Sequence, residues 1–187
     1  NPNRPFVDPF CGSGTIPIEA AMIGQNIAPG FNRDFHSEAW PWMPKTVWEE
    51  VRNEAESLAN YDQELQIFGS DLDPKMIQIA EQNAFESGFG DIITFKQMHA
   101  KDFTTSLTDG VIVSNPPYGE RIGEVEEIEQ VIGELGYLMS QYPSWSVYML
   151  SSMENFENVY GRRATKKRKL FNGFIRTDYY QFWGKRS

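Results

Sequence analysis

The chain has 187 residues, one ordinary domain's length, and its 40% hydrophobic and 23% charged content is that of a folded domain, not a disordered one. A single cysteine, Cys11, excludes an internal disulfide, two histidines, His36 and His99, leave no structural zinc site expected, and no apolar run reaches membrane-spanning length. The net charge of −9 is unevenly spread: residues 161–187 hold nine Lys or Arg and one acid (+8), against 8 basic and 25 acidic residues (−17) elsewhere. An acidic body with one basic end is compatible with a polyanion touching that end. A cytoplasmic location and no membrane partner are expected.

The chain opens without Met on "NPNRPFVDPF", almost directly into a strand, as expected of a domain whose N-terminal portion precedes Asn1. "RPFVD" reads as a short buried strand and "PFCGSGT" as a glycine-rich turn into an apolar helix, "IPIEAAMIG", with Pro17 in its first turn. Residues 25–60 form an insertion, irregular at first and helical around "KTVWEEVRNEAESLAN". "LQIFGSD" is the second strand, and "DPKMIQIAEQNAFESG" a helix capped by Asp73, started by Pro74 and stopped by Gly88. "DIITFKQ" and "GVIVSN" are strands three and four. A helix over "EVEEIEQVIGELGYLMSQ", a strand "WSVYMLS" and a weaker helix near "MENFENVYG" follow. "KKRKLFNGFIRTDYYQFW" places Asn172-Gly173 between two β-like runs, a hairpin signal. The pattern predicts an α/β fold: a Rossmann-like, mostly parallel seven-stranded sheet, helices on both faces, closed by a C-terminal antiparallel hairpin.

Ligands bind such sheets at the carboxyl ends of the strands. After strand one, Gly12 and Gly14 let backbone approach a ligand, and a helix N-terminus follows. The dinucleotide fingerprint wants glycine where Pro17 stands, which disfavours a hydride-transferring enzyme. After strand two, Asp71 can accept from two ribose hydroxyls; after strand three, Asp102 can accept from an exocyclic amino group such as that of adenine. Singly, each acid reads equally as a loop residue or a cap. In this order, and with no Lys or Arg beside the glycine-rich turn, they describe a pocket for adenosine with a non-phosphate tail, which S-adenosylmethionine fits better than ATP or NAD.

Strand four stops at "NPPYGER". An exocyclic amino nitrogen is a poor nucleophile because its lone pair is delocalised into the ring. Two acceptors aimed at its hydrogens, the Asn115 side-chain oxygen and the Pro116 carbonyl, would draw it toward tetrahedral geometry. Pro116 and Pro117 offer no competing N–H, and Tyr118 offers a flat face for a planar substrate. The arrangement points to methyl transfer onto an amino or amide nitrogen.

"DPFCGSGT", "GSDLDP", "NPPYGER" and "KLFNG" together resemble class I S-adenosylmethionine-dependent methyltransferases. More narrowly, with "DPFCGSGTIPIEAA" and the insertion beginning "IAPG", the whole chain resembles the THUMP-linked bacterial RNA guanine-N2 methyltransferases, a group often labelled N6-adenine DNA methylases. The resemblance implies that Asp8, Gly12 and Gly14 contact the methionine end of S-adenosylmethionine, Asp71 the ribose and Asp102 the adenine amino group. It implies that Asn115, Pro116 and Tyr118 hold the target base, guanine N2 in 23S rRNA. An RNA-capturing THUMP domain and a segment closing over the methionine moiety are expected upstream of Asn1.

Several readings stay open. The same slot serves adenine N6 in DNA or a protein glutamine, and a non-catalytic cofactor- or RNA-binding module is a third class. Lys166, Lys167, Arg168 and Lys169 are either phosphate contacts or a solvated face. Glu120 or Arg121 would help read the base edge. Trp40, Trp42 and Trp48 are either a base-stacking surface or a hydrophobic insertion packed on the sheet.

Overall fold

A computed structural model describes residues 1–117 and 122–185, with residues 122–124 and Asn172 described by backbone alone. The strands are β1 (Phe6–Asp8), β2 (Ile67–Asp71), β3 (Ile93–Gln97), β4 (Val111–Ser114), β5 (Ser146–Ser151), β6 (Lys166–Asn172) and β7 (Ile175–Phe182). They form one sheet in the order β3-β2-β1-β4-β5-β7-β6. The pairs from β3 across to β5 are parallel, and β7 runs antiparallel between β5 and β6. The helices are α1 (Thr15–Gly24), α2 (Lys45–Leu58), α3 (Pro74–Glu86), α4 (Ile122–Met139) and α5 (Phe156–Tyr160), with 3-10 turns at His36–Ala39 and Ala100–Asp102. Among the described residues no helix is long and apolar enough to cross a membrane.

Alternation along the strands sets the layers. Phe6 and Val7 are consecutive in β1 and so point to opposite faces. Val7, Ile112 and Val147 lie in register on one face, under Ile132 and Leu135 of α4 and Phe156 and Tyr160 of α5. Phe6, Ile67 and Ile93 face the other way, against Ala21 of α1 and Ala84 of α3. The short α5 is held by aromatic stacking: Phe156 lies 4.4 Å from Tyr180, and Tyr160 lies 4.3 Å from Phe182. Each such pair contributes about 1 kcal/mol beyond the area it buries.

Local signals act as the sequence indicates at α3, where the Asp73 side chain accepts from the Lys75 amide at 2.8 Å and Pro74 opens the first turn. The closing hairpin differs in detail. Asn172 pairs with Ile175, so the two-residue turn is Gly173-Phe174. Gly173 alone takes a positive φ, +60°. A glycine first and an ordinary residue second is the type II′ solution, where Asn-Gly would have given type I′.

The tryptophans of the insertion divide between the two readings. Trp48 stacks on Phe35 with centroids 5.3 Å apart, but Trp40 and Trp42 lie against each other at 4.9 Å and stay 47% and 70% exposed. The latter pair is not packed on the sheet. The C-terminal end of the amphipathic α2 is tied to the chain just past α1, where Leu58 O accepts from Asn26 Nδ2 at 2.8 Å and Asn60 N donates to Gln25 O at 2.7 Å.

Candidate active site

Strand β1 pairs with β2 on one side and β4 on the other, so the sheet's connectivity reverses between β1 and β4. A crevice opens outside the carboxyl ends of strands at such a point. Here it is a cavity of about 490 Å³ whose walls come from the ends of β1, β2, β3 and β4 and from α4, within the usual range for small-molecule sites. Hollows of about 440 and 630 Å³ also occur, one at the α1–α2 seam and one near Pro2 and Tyr61; neither touches the segments that follow β1, β3 and β4.

The glycine-rich turn after β1 is fixed by its neighbours. Cys11 N donates to Ser70 O at 2.9 Å, Gly12 N donates to Asp71 Oδ2 at 3.0 Å, and Asn83 Nδ2 of α3 donates to Ser13 O at 2.8 Å. Gly14 sits at φ +84°, and a Cβ there would stand 3.1 Å from both Ala80 Cβ and Phe95 Cζ. Gly14→Ala is expected to cost about 1–2 kcal/mol for the left-handed backbone alone, with steric strain added. A lowered melting temperature together with weaker cofactor binding would show it.

Asp8 lies beneath this turn, buried, and does not itself line the cavity. Its Oδ1 accepts from the Ser114 hydroxyl and from the Phe10 amide, while Oδ2 is buried with no hydrogen-bond partner among the described residues. Burial pushes its carboxyl up to about 6; the bonds from Ser114 and Phe10 oppose the shift, and the Asp71 charge adds to it. Burial, with Asp8 and Asp71 nearby, holds the Cys11 thiol protonated up to about 12, so Cys11 is no nucleophile.

Asp71 lines the cavity with its carboxylate oriented by backbone: Oδ2 accepts from Gly12 N, and Oδ1 from Asp73 N at 2.9 Å. Each oxygen keeps a further lone-pair site for a ligand hydroxyl. Met98 N donates to Asp71 O at 3.0 Å, which brings Met98, His99 and Ala100 into the wall. Asp102 ends that turn, exposed, and is not among the lining residues. The slot after β4 presents Asn115, Pro116 and Pro117 to the same cavity; Pro116 is buried and the other two are exposed. Tyr118, Glu120 and Arg121 lie outside the described residues.

The far wall is α4, through Glu127, Ile128, Val131 and Ile132. That stripe, and the Asn83 clamp, were not anticipated from sequence. The i, i+3, i+4 apolar spacing of Ile128, Val131 and Ile132 was a readable signal for a buried face, though not for a cavity. Among the described residues no Lys or Arg lines the cavity. The basic strand β6 stands at the sheet's edge, three strands from β4. Lys167 Nζ lies 3.6 Å from Asp178 and 3.9 Å from Glu157. Lys166, Arg168 and Lys169 are exposed and make no ion pair among the described residues.

A seven-stranded sheet with β7 reversed between β5 and β6, a cavity at the β1/β4 reversal and an Asn-Pro-Pro slot opening into it define a Rossmann-like methyltransferase. Residues 1–181 match the family described as RMKL-like, methyltransferase domain, and the chain belongs to that family. It is 66% identical over 184 residues to a candidate RNA methyltransferase, YpsC of Bacillus subtilis, covering 98% of this chain and 48% of YpsC. It is 38% identical over 174 residues to the ribosomal RNA large subunit methyltransferase K/L of Shewanella frigidimarina, covering 90% of this chain and 24% of that protein. Among solved structures, SMU.472, a candidate methyltransferase complexed with SAH, superposes with a TM-score of 0.95 at 49% identity, over 100% of this chain and 49% of that one. The chain thus spans about half the length of YpsC and of SMU.472.

Proposed function

We propose that this chain is the catalytic domain of a cytoplasmic RNA methyltransferase that uses S-adenosylmethionine to methylate the exocyclic amino nitrogen of a base, guanine N2 in 23S rRNA. The observation that carries the reading is the continuity of one cavity between Asp71 and the Asn115-Pro116-Pro117 slot, which sets a nucleoside site beside an amino-nitrogen site. The chain's kinship with RNA and ribosomal RNA methyltransferases supports the substrate class.

The residues present suit that cofactor. The described lining offers no cation for a phosphate chain, while Asp8 Oδ2, buried beneath the glycine-rich turn with no hydrogen-bond partner among the described residues, is an acceptor suited to an ammonium brought against that turn. When bound, the cofactor supplies an electrophilic methyl group. Gly12 and Gly14 allow backbone to approach the methionine end, Asp71 accepts from the ribose, and the apolar stripe of α4 excludes water. The role of Asp102 toward the adenine amino group rests on its place at the end of the turn that carries Met98, His99 and Ala100 into the wall.

In the second half of the site the Asn115 side-chain oxygen and the Pro116 carbonyl accept from the two amino hydrogens of the target base. That interaction strengthens as the nitrogen becomes tetrahedral and acidic, so it favours the transition state over the ground state. Tyr118 supplies the stacking face, and Glu120 or Arg121 reads the base edge. The base must be flipped out or unpaired to reach the slot.

RNA capture falls to a THUMP domain upstream of Asn1 together with β6. Three of the four β6 cations are exposed and make no ion pair among the described residues, so removing Lys166, Arg168 and Lys169 together is expected to lower RNA affinity. The slope of log affinity against log salt should fall by about 2 if three single-strand phosphates are contacted. Lys167→Ala, which breaks contacts to Asp178 and Glu157, should act more on thermal stability. An unchanged salt slope in the triple variant would remove β6 from the RNA interface.

The test of the whole reading is product identity. The full-length protein is incubated with S-adenosylmethionine and unmodified ribosomal RNA, tRNA or DNA, and the digested nucleosides are analysed by mass spectrometry. N2-methylguanosine in RNA is expected. N6-methyladenine would keep the slot and overturn the base assignment, and no methylated nucleoside would move the search to protein glutamine or a non-catalytic role.

A further inference from the structure

The tip of the β6–β7 hairpin carries apolar surface that the fold does not use. Phe171, Phe174 and Ile175 are 63%, 105% and 52% exposed. A type II′ turn needs glycine at its first position, met by Gly173, and places no demand for an aromatic at its second, where Phe174 stands. Two cations stand beside these rings: Lys169 Nζ lies 5.2 Å from the Phe171 centroid, and Arg176 pairs with Phe171 across the ladder while its guanidinium also holds Asp178 Oδ2 at 3.1 Å.

The strand directions place this tip at the active end of the sheet. Strand β5 runs parallel to β4 and ends at Ser151, opposite Asp178 of β7. The β6–β7 ladder continues beyond that point through Thr177, Arg176 and Ile175 to the turn. At about 3.3 Å per residue the hairpin overhangs the carboxyl edge of the sheet by roughly 10 Å. Strands β7 and β6 stand second and third from β4, so at about 4.8 Å per strand the tip lies roughly 10–15 Å sideways from the end of β4. That distance spans a few nucleotides from a base held at Asn115.

We propose that the β6–β7 hairpin tip is a stacking platform for an unpaired RNA base flanking the target nucleotide. Phe174 and Phe171 contact the base face, and Lys169 and Arg176 lie against the adjoining phosphates. Aromatic rings serve single-stranded nucleic acid because every base has a π-face, and flanking cations track the backbone. Charge complementarity selects this occupant, since the hairpin is the basic end of an otherwise acidic chain. The proposal rests on the RNA reading above and adds residues and a strand preference to it.

The full-length protein, saturated with S-adenosylhomocysteine, is titrated with a mixed-sequence single-stranded RNA oligonucleotide and with a blunt duplex of the same sequence. Phe174→Ala should weaken single-strand binding by at least about fivefold and Phe171→Ala/Phe174→Ala by more. Duplex binding should change little and Phe174→Trp should restore affinity. Cofactor affinity and melting temperature, measured on the same variants, should hold, because neither ring is buried. Single-strand affinity equal to wild type in the double variant overturns the proposal and leaves the RNA reading standing. The same result with a shift from dimer to monomer assigns the tip to a second copy instead. Wild-type protein that binds neither RNA overturns both.

Discussion

Replacing Asn115 with alanine is expected to cripple methyl transfer while leaving the cofactor site intact. The loss in kcat should be on the order of a thousandfold, the scale seen when one preorganised hydrogen-bonding group is removed from a developing charge. The side chain is exposed at the end of β4, immediately after buried Ser114, so its truncation opens no cavity in the core. Binding of S-adenosylhomocysteine should hold, since the residues assigned to it, Asp71 and the glycine-rich turn, come from β1 and β2. Asn115→Asp, which keeps an acceptor oxygen at the same place, should retain measurable turnover. Loss of kcat in both variants alike would mean that the amide N–H₂, not the oxygen, is the working group.

Asp8→Asn has effects of opposite sign on stability and on binding. The Asp8 carboxyl titrates at about 6 in the folded protein against an ordinary value of 3.8. Below pH 3.8 it is protonated in both the folded and unfolded states, and its ionisation costs nothing. As pH rises the unfolded chain ionises first, so stability falls progressively and the full penalty is in place above about pH 6. A difference of about 2 units corresponds to about 3 kcal/mol. The asparagine variant lacks this titration, so its stability relative to wild type should improve by that order between pH 4 and 6.5, read from urea midpoints along the pH series. Cofactor binding should move the other way. An ammonium against Oδ2 favours the carboxylate, whereas the amide N–H₂ of asparagine meets it donor to donor. A loss of at least about tenfold in affinity is expected. Unchanged affinity would confine Asp8 to holding Ser114 and the Phe10 amide.

Much of this was legible in the chain because the signals were local. Asp73, Pro74 and Gly88 bracket α3 by capping chemistry alone, and the β-branched run before Asn115 marks a strand whose end must lie at a ligand edge. What could not be read depends on contacts distant in sequence. Asn83 reaches Ser13 across 70 positions, and Ser114 reaches Asp8 across 106. The α4 wall of the cavity shares its apolar period with any packed helix. Asp102 is legible by its place after strand three, whereas the lining of that turn by Met98, His99 and Ala100 depends on a backbone bond to Asp71. Composition alone does not separate the tryptophans: the insertion half-buries Trp48 against Phe35 and leaves Trp40 and Trp42 to each other.

Strand β6 is the outermost on its side of the sheet and carries four consecutive cations, Lys166 to Lys169, along an edge to which no further strand is bonded among the described residues. Side chains alternate, so two of the cations project from each face. A second molecule approaching edge to edge would set like charges opposite one another on both faces, and such pairing is destabilising. The row therefore opposes edge-to-edge self-association and amyloid-like growth of an open sheet, a protection that any charge-neutralising variant of this strand would forfeit.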